Sequence, residues 1–596
     1  MRISLLILPL LTLVLGAAAR ADAPADAGHD MSHVPASVAA WADGARLYSG
    51  LGDFHRAVST SSPEAQAYFD QGMRYLWAFN HDESTRSFAK AAQLDPQCAA
   101  CFWGVALTVG PNYNLPATEA ARARVAYEAL TLAQAQAVHA SQVEQALITA
   151  LAARYPDAQP PKDEEQVLGA YATAMAAVAA RFPQDDDVQV LCAESEMTVH
   201  AWKLWTADGQ PREGTREIQA RLEAVLKRAP AHPGANHYYI HVMEASATPQ
   251  KAVAAAQALP GMMPAAGHLE HMPAHIMQRV GRYEEAAEAN RRGVAADEKY
   301  FAGTNAPDYY AMYLAHNHSF LAYSTAMEGR KAETLTAVRA VVAVVPLPML
   351  LAMGDSGWNL SQQYAALVRF GLWDELIALN PPDASAPGLM AAYLYGRGVA
   401  LAARGQLQEA RGSDAQLKAL AESVPAEAQA GFNRLRDIIA VAEPVVAARI
   451  AATERNDAQA VALLRQAVAA EDQLAYNEPA DWFFPTRHLL GAQLLIAGDA
   501  RGAQAVYEED LRRNPQNGWS LLGLSQALQA QGHKSAAQQA AQRYARAWEH
   551  ADVRLPGSAY WFAGADTARC ACEHVALRDR QARGELLGAQ DEARVD

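Results

Sequence analysis

The sequence predicts an all-α protein that is built as a solenoid of helical hairpins. With 596 residues, the chain is longer than one hydrophobic core normally holds, so a repeat array or several domains are expected. Long stretches are dominated by Ala, Leu, Gln, Glu and Arg, which favour helix. Hairpin signatures recur along the chain, with a small residue where two helices cross and a proline after the second helix.

The overall charge excludes one class of partner. The net charge is −15 and the pI is near 5.7, whereas nucleic-acid binding requires a basic patch. The sequence contains no Lys/Arg stripe and no alternation of aromatic and basic residues. We therefore expect no nucleic-acid partner.

The N-terminus has the pattern of a secretory signal peptide. Arg2 precedes the apolar run Ile3–Leu15, and Ala19-Arg20-Ala21 forms a cleavage motif. The run is too short to span a membrane as a helix, and no later apolar stretch reaches about 18 residues. We predict cleavage after Ala21, export to the periplasm or secretion, and no membrane span in the mature chain. A retained N-terminal anchor is the alternative.

The pattern divides the chain into five segments. Repeat signatures begin near residue 65, become degenerate after residue 345 and are clear again from residue 484 to 551. The predicted segments are a signal peptide (1–21), a flexible leader (22–48), an N-terminal array with a His-rich groove (49–345), a C-terminal array (346–555) and a tail (556–596).

Two consecutive hairpins, residues 233–266 and 267–300, carry histidines in matching positions. His237 and His271 are 34 residues apart, and so are His241 and His275. Histidines at i and i+4 are neighbours on one helix, and the first helices of adjacent hairpins pack about 8–10 Å apart. Two imidazoles from each helix then converge on a point between them. The sequence therefore predicts a metal site with these four histidines as ligands.

Further side chains near this face are candidates for the same site. Glu244 is available as an oxygen ligand or as a proton shuttle. Pro273 interrupts the second histidine helix and is expected to bend it. The possible additional ligands or supporting residues are His268, Glu244, His316, His318 and His200.

The residue types leave the identity of the metal open among copper, zinc and iron. Imidazole suits all three. Nearby thioethers favour copper, whereas Glu244 and the absence of cysteine from the histidine stripe keep zinc and non-haem iron open. If the protein is an enzyme, a metal-dependent oxidoreductase or hydrolase is expected. The thioethers belong to Met243, Met262, Met263 and Met272.

The hairpins resemble tetratricopeptide (TPR) repeats, which form right-handed superhelical solenoids. The resemblance rests on FNHDESTRSFAKAAQLDP, HPGANHYYIHVMEAS, GHLEHMPAHIMQRVGRYEEA and NPQNGWSLLGLSQALQAQG, and it extends to a family of large exported bacterial TPR proteins of uncertain function. In TPR repeats, the side of the first helix that carries these histidines lines a concave groove. The resemblance therefore implies that the predicted metal site lies in the groove.

Two other interpretations of the histidine face stay open. TPR grooves commonly bind a protein or peptide, so the same face predicts, as the alternative function, a scaffold that binds a partner without metal. The histidines can also be packed side chains that hydrogen-bond to their neighbours.

The five cysteines fit an oxidising compartment. Cys98 and Cys101 form a C-x-x-C motif, but Phe102 follows in place of the His required for haem attachment. A local disulfide, two buried thiols, and a redox or ligand role are the possibilities for this pair. The sequence does not fix the pairing of the full set, which is Cys98, Cys101, Cys192, Cys570 and Cys572.

Overall fold

The computed structural model describes residues 34–304, 308–352 and 355–561. The predicted signal peptide and the chain from residue 562 onward, with Cys570 and Cys572, lie outside the described residues. Residues 34–48, the described part of the predicted leader, contain a short helix whose Trp41 side chain is buried.

The described chain is almost entirely α-helical. Its first half contains short 3-10 turns at Ala137–His139, Pro249–Ala252 and Asp308–Tyr310. The α-helices of this half are α1 (Val38–Trp41), α2 (Pro63–Trp77), α3 (His81–Leu94), α4 (Ala99–Thr108), α5 (Ala120–Gln136), α6 (Gln142–Leu151), α7 (Glu164–Arg181), α8 (Asp186–Val199), α9 (Thr215–Arg228), α10 (Pro233–Glu244), α11 (Val253–Ala258), α12 (Gly267–His271), α13 (Pro273–Arg279), α14 (Tyr283–Gly303), α15 (Ala311–Met327) and α16 (Lys331–Val344).

The second half continues the helical pattern. A two-residue antiparallel ladder pairs β1 (Gln429–Ala430) with β2 (Asn433–Arg434), and a 3-10 turn covers Trp358–Leu360. The α-helices of this half are α17 (Leu347–Ala352), α18 (Gln362–Arg369), α19 (Trp373–Ala378), α20 (Pro387–Ala403), α21 (Leu407–Ser423), α22 (Leu435–Thr453), α23 (Asp457–Glu471), α24 (Arg487–Ile496), α25 (Ala500–Arg513), α26 (Gly518–Ala530) and α27 (Lys534–Ala547).

Helices that follow one another in the chain pack against one another. This holds from α2 to α5 and from α6 to α11, and it continues from α12 through α16. The same sequential packing runs from α18 to α27. Such neighbour-to-neighbour packing defines a solenoid. The prediction of an all-α, TPR-like solenoid of helical hairpins is confirmed.

In several hairpins an aromatic ring packs directly against glycines of the two neighbouring helices, a contact called an interlock below. A Cβ atom on Gly72 or Gly104 would lie 2.6 or 2.5 Å from the ring of Phe88. Two other helical glycines, Gly491 and Gly523, hold the ring of Tyr507 in the same way, at 2.3 and 2.2 Å. The aromatic side chain of one helix therefore fills the space that glycine leaves on its two neighbours.

The two predicted arrays touch each other near the histidine hairpins. The Tyr476 hydroxyl donates to the backbone carbonyl of Glu244 at 3.2 Å, and the guanidinium of Arg279 lies 5.3 Å from the Tyr476 ring centre. Farther along, the Trp519 indole N–H donates to the carbonyl of Ala326 at 2.8 Å. Side chains from the second half thus reach the site described below.

Within the described part of the chain, no helix is both long and apolar enough to cross a membrane.

The contacts of the glycines predict that alanine substitution has opposite effects on stability at two helical positions. Gly523→Ala places a methyl group against Tyr507 and should destabilise the fold by about 1–3 kcal/mol, as overpacking does. Gly412→Ala is the control, because its Cβ would meet nothing within 4 Å and alanine should stabilise the helix by about 0.5–1 kcal/mol. Thermal unfolding should show a lower midpoint for Gly523→Ala only. Equal midpoints for the two variants would contradict the interlock.

Candidate metal centre

Six buried or half-buried histidines lie side by side on four neighbouring helices. Helix α10 carries His237 and His241, and α12 carries His268 and His271. His275 lies on α13 and His316 on α15. The ring centroids of neighbouring imidazoles are 4.8–6.0 Å apart, so the six form one continuous cluster.

Local sequence signals place these helices. Pro233 occupies the first turn of α10, and the His232 imidazole caps that turn by accepting the backbone N–H of Ala235 at 3.1 Å. Pro273 has no N–H and divides the second histidine helix into α12 and α13, as expected. Met272 between them keeps helical torsion angles, so His271 and His275 stay on the same face.

The first three-histidine group, trio A, consists of His237, His241 and His268. All three donor nitrogens lie within 4.8 Å of one another. His237 Nδ1 donates to the backbone carbonyl of Trp77 at 2.6 Å, which leaves Nε2 unprotonated in the neutral ring. That Nε2 lies 3.0 Å from His268 Nε2, and His241 Nε2 has no hydrogen-bond partner among the described residues.

The second three-histidine group, trio B, consists of His271, His275 and His316. Its donor nitrogens also lie within 4.8 Å of one another. His271 Nδ1 donates to Asn290 Oδ1 at 2.6 Å, and the Asn290 amide is itself oriented by donating to the Ala286 carbonyl. His271 Nε2 lies 2.8 Å from His275 Nε2.

Two buried carboxylates connect with the trios. Glu244 lies between them: one oxygen is 3.1 Å from His241 Nδ1 and the other is 2.5 Å from His275 Nδ1. Glu478, from the loop after α23, lies 2.7 Å from the same His275 nitrogen. The Glu244 and Glu478 side chains are 1% and 3% exposed, so both charges are removed from solvent. Glu244, His275 and Glu478 also form a third group of potential ligands.

Burial controls the protonation of the imidazoles. It lowers the pKa of His237, His268 and His271 well below the usual range, and the neighbouring imidazoles add to this shift. Burial also lowers the pKa of His316, to about 3. For His275, the carboxylates of Glu244 and Glu478 outweigh burial and raise the pKa to about 9. Most of the cluster is therefore neutral, the form in which imidazole binds metals.

An aromatic side chain covers each trio. Phe79 stacks on His241 and His268 at ring distances of 5.6 and 5.4 Å and lies 4.5 Å from His237. Phe320 lies 4.5–4.8 Å from all three rings of trio B. These rings fix the imidazoles and exclude water from the far side of each trio.

The near side of the cluster opens into a cavity of about 870 Å³. His241, His268, His275 and His316 line it, so both trios reach it. The remaining wall is rich in aromatic side chains, to which loops from distant parts of the chain contribute. These side chains are Trp202, Trp205, Tyr309, Tyr313, Trp358, Phe432, Tyr476 and Phe483.

The structure divides the histidines that the sequence singled out. His237 and His241 belong to trio A, whereas His271 and His275 belong to trio B, so the four are not one group of donors within 4.8 Å. Repeat register had placed them around a single point. His268 completes the group of His237 and His241, and His316 completes the group of His271 and His275.

Two other candidate ligands lie outside these groups. His200 is exposed at the end of α8, and neither it nor His318 lines the cavity. His318 is buried on α15, two residues after His316, and the direction of successive helical residues turns it away from trio B. Neither belongs to a group of three donors among the described residues.

Sequence reasoning missed several residues that shape the site. Glu478 lies in an irregular loop in the other half of the chain, where no repeat register applies. Phe79 and Asn290 are ordinary hairpin residues by pattern, and only contacts across hairpins show their role. The sequence signal for Phe79 was weak, since it showed only that the residue lies at an inter-helix turn. In the structure Phe79 has a positive φ of 55° at that turn.

The three cysteines in the described part of the chain take no part in the cluster. Cys98 and Cys101 form a disulfide at the start of α4, which settles the choice left open for this pair. Cys192 is a buried free thiol on α8, and burial raises its pKa to about 12.

Comparisons with known proteins add little beyond the helical architecture. No protein-family model and no curated protein matches the chain. The structure of the human IFIT1 dimer with m7Gppp-AAAA has 11% identity and a TM-score of 0.32, covering 75% of this chain and 90% of IFIT1. The structure of Naa15/Naa10 bound to HypK-THB has 12% identity and a TM-score of 0.22, covering 88% of this chain and 74% of the other. Likeness at this level carries no inference about function.

The aromatic cover of trio A should stabilise the metal-free protein. Phe79→Ala removes a fully buried ring from three imidazoles and should cost about 3–5 kcal/mol. Phe432→Ala is the matched control, because Phe432 is 47% exposed at the cavity wall. Thermal unfolding in chelator-treated buffer should show a clear drop in midpoint for Phe79→Ala and a small one for Phe432→Ala. Similar midpoints would mean that Phe79 does not hold the cluster together.

Proposed function

We propose that this protein is a TPR-like solenoid that binds a transition metal ion through its buried histidine cluster. The observation that carries the proposal is the geometry of trio A. His237, His241 and His268 bring three donor nitrogens within 4.8 Å of one another, and hydrogen bonds at Nδ1 hold His237 and His241 with Nε2 toward the centre. A His whose second nitrogen is hydrogen-bonded in this way is the usual form of a metal ligand.

The donor set supports zinc, copper or iron and does not choose among them. Three imidazoles with room for a further ligand are typical of catalytic sites, in which a water or substrate takes the open position. His241 and His268 face the cavity, so that position is accessible. We therefore propose metal-dependent oxidoreductase or hydrolase chemistry, with Glu244, whose carboxylate contacts His241, as the proposed proton shuttle.

The cavity supports a small-molecule substrate. Its volume of about 870 Å³ falls in the range of about 300–1,000 Å³ that is usual for ligand pockets. Trp202, Trp358 and Phe432 give it largely apolar walls, while Asn114, Asn477 and Glu478 supply polar groups. Such walls favour a molecule with an apolar or aromatic body and a polar group that reaches the metal.

The burial of the histidines weighs against a peptide-binding groove that uses them directly. His237, His268 and His271 are at most 2% exposed, so a peptide backbone could not lie along this face without opening the solenoid. A partner bound in the cavity mouth remains compatible with the fold, as the alternative proposal of a protein-binding scaffold requires.

We also propose that the protein belongs to a family of exported bacterial TPR proteins and acts in the periplasm or outside the cell. The signal-peptide pattern in residues 1–21 suggests export. The Cys98–Cys101 disulfide supports an oxidising compartment, because disulfides are rare in reducing cytosol.

Metal analysis tests the central proposal. The purified mature chain, loaded with zinc and desalted, should retain metal when analysed by inductively coupled plasma mass spectrometry. His237→Ala combined with His268→Ala should lower the content by one ion per chain, because trio A loses two of its three ligands. Circular dichroism should confirm that the variant keeps its helical content.

His318→Ala is the matched control for this experiment. It removes a buried histidine from the same helix as His316 without removing a donor from either trio, so the metal content should equal that of the wild type. A wild-type protein without bound metal, or a double variant that binds as much as the wild type, would refute the proposal.

Export has its own test. Protein expressed from the full gene in a Gram-negative host should be found in the periplasmic fraction, with an intact mass that corresponds to cleavage after Ala21. Ala19→Arg with Ala21→Arg should block cleavage and leave the full-length mass. Recovery of the uncleaved wild-type chain from the cytoplasm would contradict the export proposal.

A further inference from the structure

We infer that the cluster binds two metal ions, one in trio A and a second held by His271, His275 and His316. This inference rests on the proposed metal function and extends it to a two-metal centre. A second site that faces the same cavity changes the chemistry available, because one small oxygen ligand can contact both ions.

Distances within the cluster favour two sites over one. A metal–nitrogen bond is about 2.0–2.1 Å, so two ligands of one ion cannot be more than about 4.2 Å apart. Among the described residues, donors within 4.8 Å of one another form three groups: trio A, trio B and the group of Glu244, His275 and Glu478. No single group contains histidines of both trios, so the imidazoles fall into two sets. Six imidazoles in two such groups match two ions with three ligands each.

Trio B has the geometry of a ligand set. His271 Nε2 and His275 Nε2 are 2.8 Å apart, and with bonds of about 2.0–2.1 Å they would subtend roughly 90° at a shared ion. His316 approaches from α15, with its ring 4.9 and 5.6 Å from the rings of His271 and His275. Three separate helices thus supply the ligands, so the solenoid packing fixes their relative positions.

The hydrogen bonds of trio B repeat those of trio A. His271 Nδ1 donates to Asn290, and His275 Nδ1 faces the carboxylates of Glu244 and Glu478. In trio A, His237 Nδ1 donates to a backbone carbonyl and His241 Nδ1 to Glu244. In both trios the Nδ1 atoms of two rings are occupied, which directs Nε2 toward the centre.

The same contacts bear on which nitrogen of His275 would bind a metal ion. Glu244, His275 and Glu478 are also close enough to form a site through His275 Nδ1. In that arrangement His275 Nε2 carries the proton and donates it to the unprotonated His271 Nε2, 2.8 Å away. An ion in trio B would instead use both Nε2 atoms and leave His275 Nδ1 facing the two carboxylates. We favour trio B because it gives all six imidazoles a ligand role, His316 included.

Charge balance points to added cations. Glu244 and Glu478 bring two carboxylates into a region where their side chains are 1% and 3% exposed. Buried charges are stable only when opposite charges and hydrogen bonds compensate them. His275 faces both carboxylates, and a cation bound in either trio would add further compensation.

Glu244 links the two sites. Its two oxygens contact one histidine from each trio, and the shortest ring distances between trios are 5.7 Å for His241–His275 and 5.9 Å for His268–His271. Both trios contribute to the wall of the one cavity. Ions held in the two trios would therefore both lie at the wall of this cavity, where water, hydroxide or dioxygen could reach them.

Stoichiometry is the decisive measurement. The complete mature chain is first freed of metal, then titrated with zinc and desalted. It should retain two ions per chain. His316→Ala should retain one, and so should His237→Ala combined with His268→Ala, while the two sets of substitutions together should retain none. One ion in the wild type, or two in His316→Ala, would overturn the second site but leave the metal function standing. No ion in the wild type would overturn both.

Magnetic coupling provides a readout that a structural role would not change. With copper(II) as the probe, the wild type should lose much of the isolated-copper signal in electron paramagnetic resonance, because two nearby ions couple. His316→Ala should show the full signal of one isolated copper ion per chain. An uncoupled two-copper signal in the wild type would contradict a shared centre.

Two positioning variants keep the inference testable if a histidine variant fails to fold. Asn290→Ala should weaken only the second ion, by about 10–100-fold, because it removes the partner of His271. Glu244→Gln should weaken both ions, because it alters the contacts to His241 and His275. Equal weakening of both ions by Asn290→Ala would contradict separate sites.

Discussion

The contact on which the site depends is the Glu244 carboxylate held between two imidazoles. A buried carboxylate is costly unless each of its oxygens is compensated, and here one oxygen faces His241 and the other faces His275. This pairing holds α10 against α13. It occupies Nδ1 of both rings, so Nε2 is the nitrogen that remains for another partner. The orientation of these two imidazoles is therefore a consequence of compensating one buried charge.

Repeat register made much of the fold and part of the site predictable. A helical hairpin that recurs with a 34-residue period places equivalent residues at equivalent positions, so the pairing of His237 with His271 indicated neighbouring helices. Register could not show that His268 and His316 would place the four paired histidines in two separate groups. The outcome depends on how three helices pack, and an insertion before His316 weakened its register.

The residues that sequence reasoning missed share one physical property: they act across large chain separations. Glu478 reaches His275 from a loop about 200 residues away, and Trp77 accepts a hydrogen bond from His237 across 160 residues. Periodicity describes contacts between neighbouring hairpins only. The closing of one half of the solenoid on the other has no periodic signature, and it also turned the expected open concave face into a buried one.

This closure explains how a repeat protein can enclose a cluster of polar side chains. A regular solenoid exposes its concave side, where an imidazole would stay hydrated and bind metal with little selectivity. Here Glu478 and Tyr476 from the second half meet Glu244 and His275 from the first, and aromatic side chains from several loops complete the cavity. Glu244 and all six imidazoles come from the first half and Glu478 comes from the second, so Glu478 joins the cluster only when the two halves are folded and in contact. Under the proposed metal function, an ion whose binding depended on Glu478 would also stabilise the contact between the two halves.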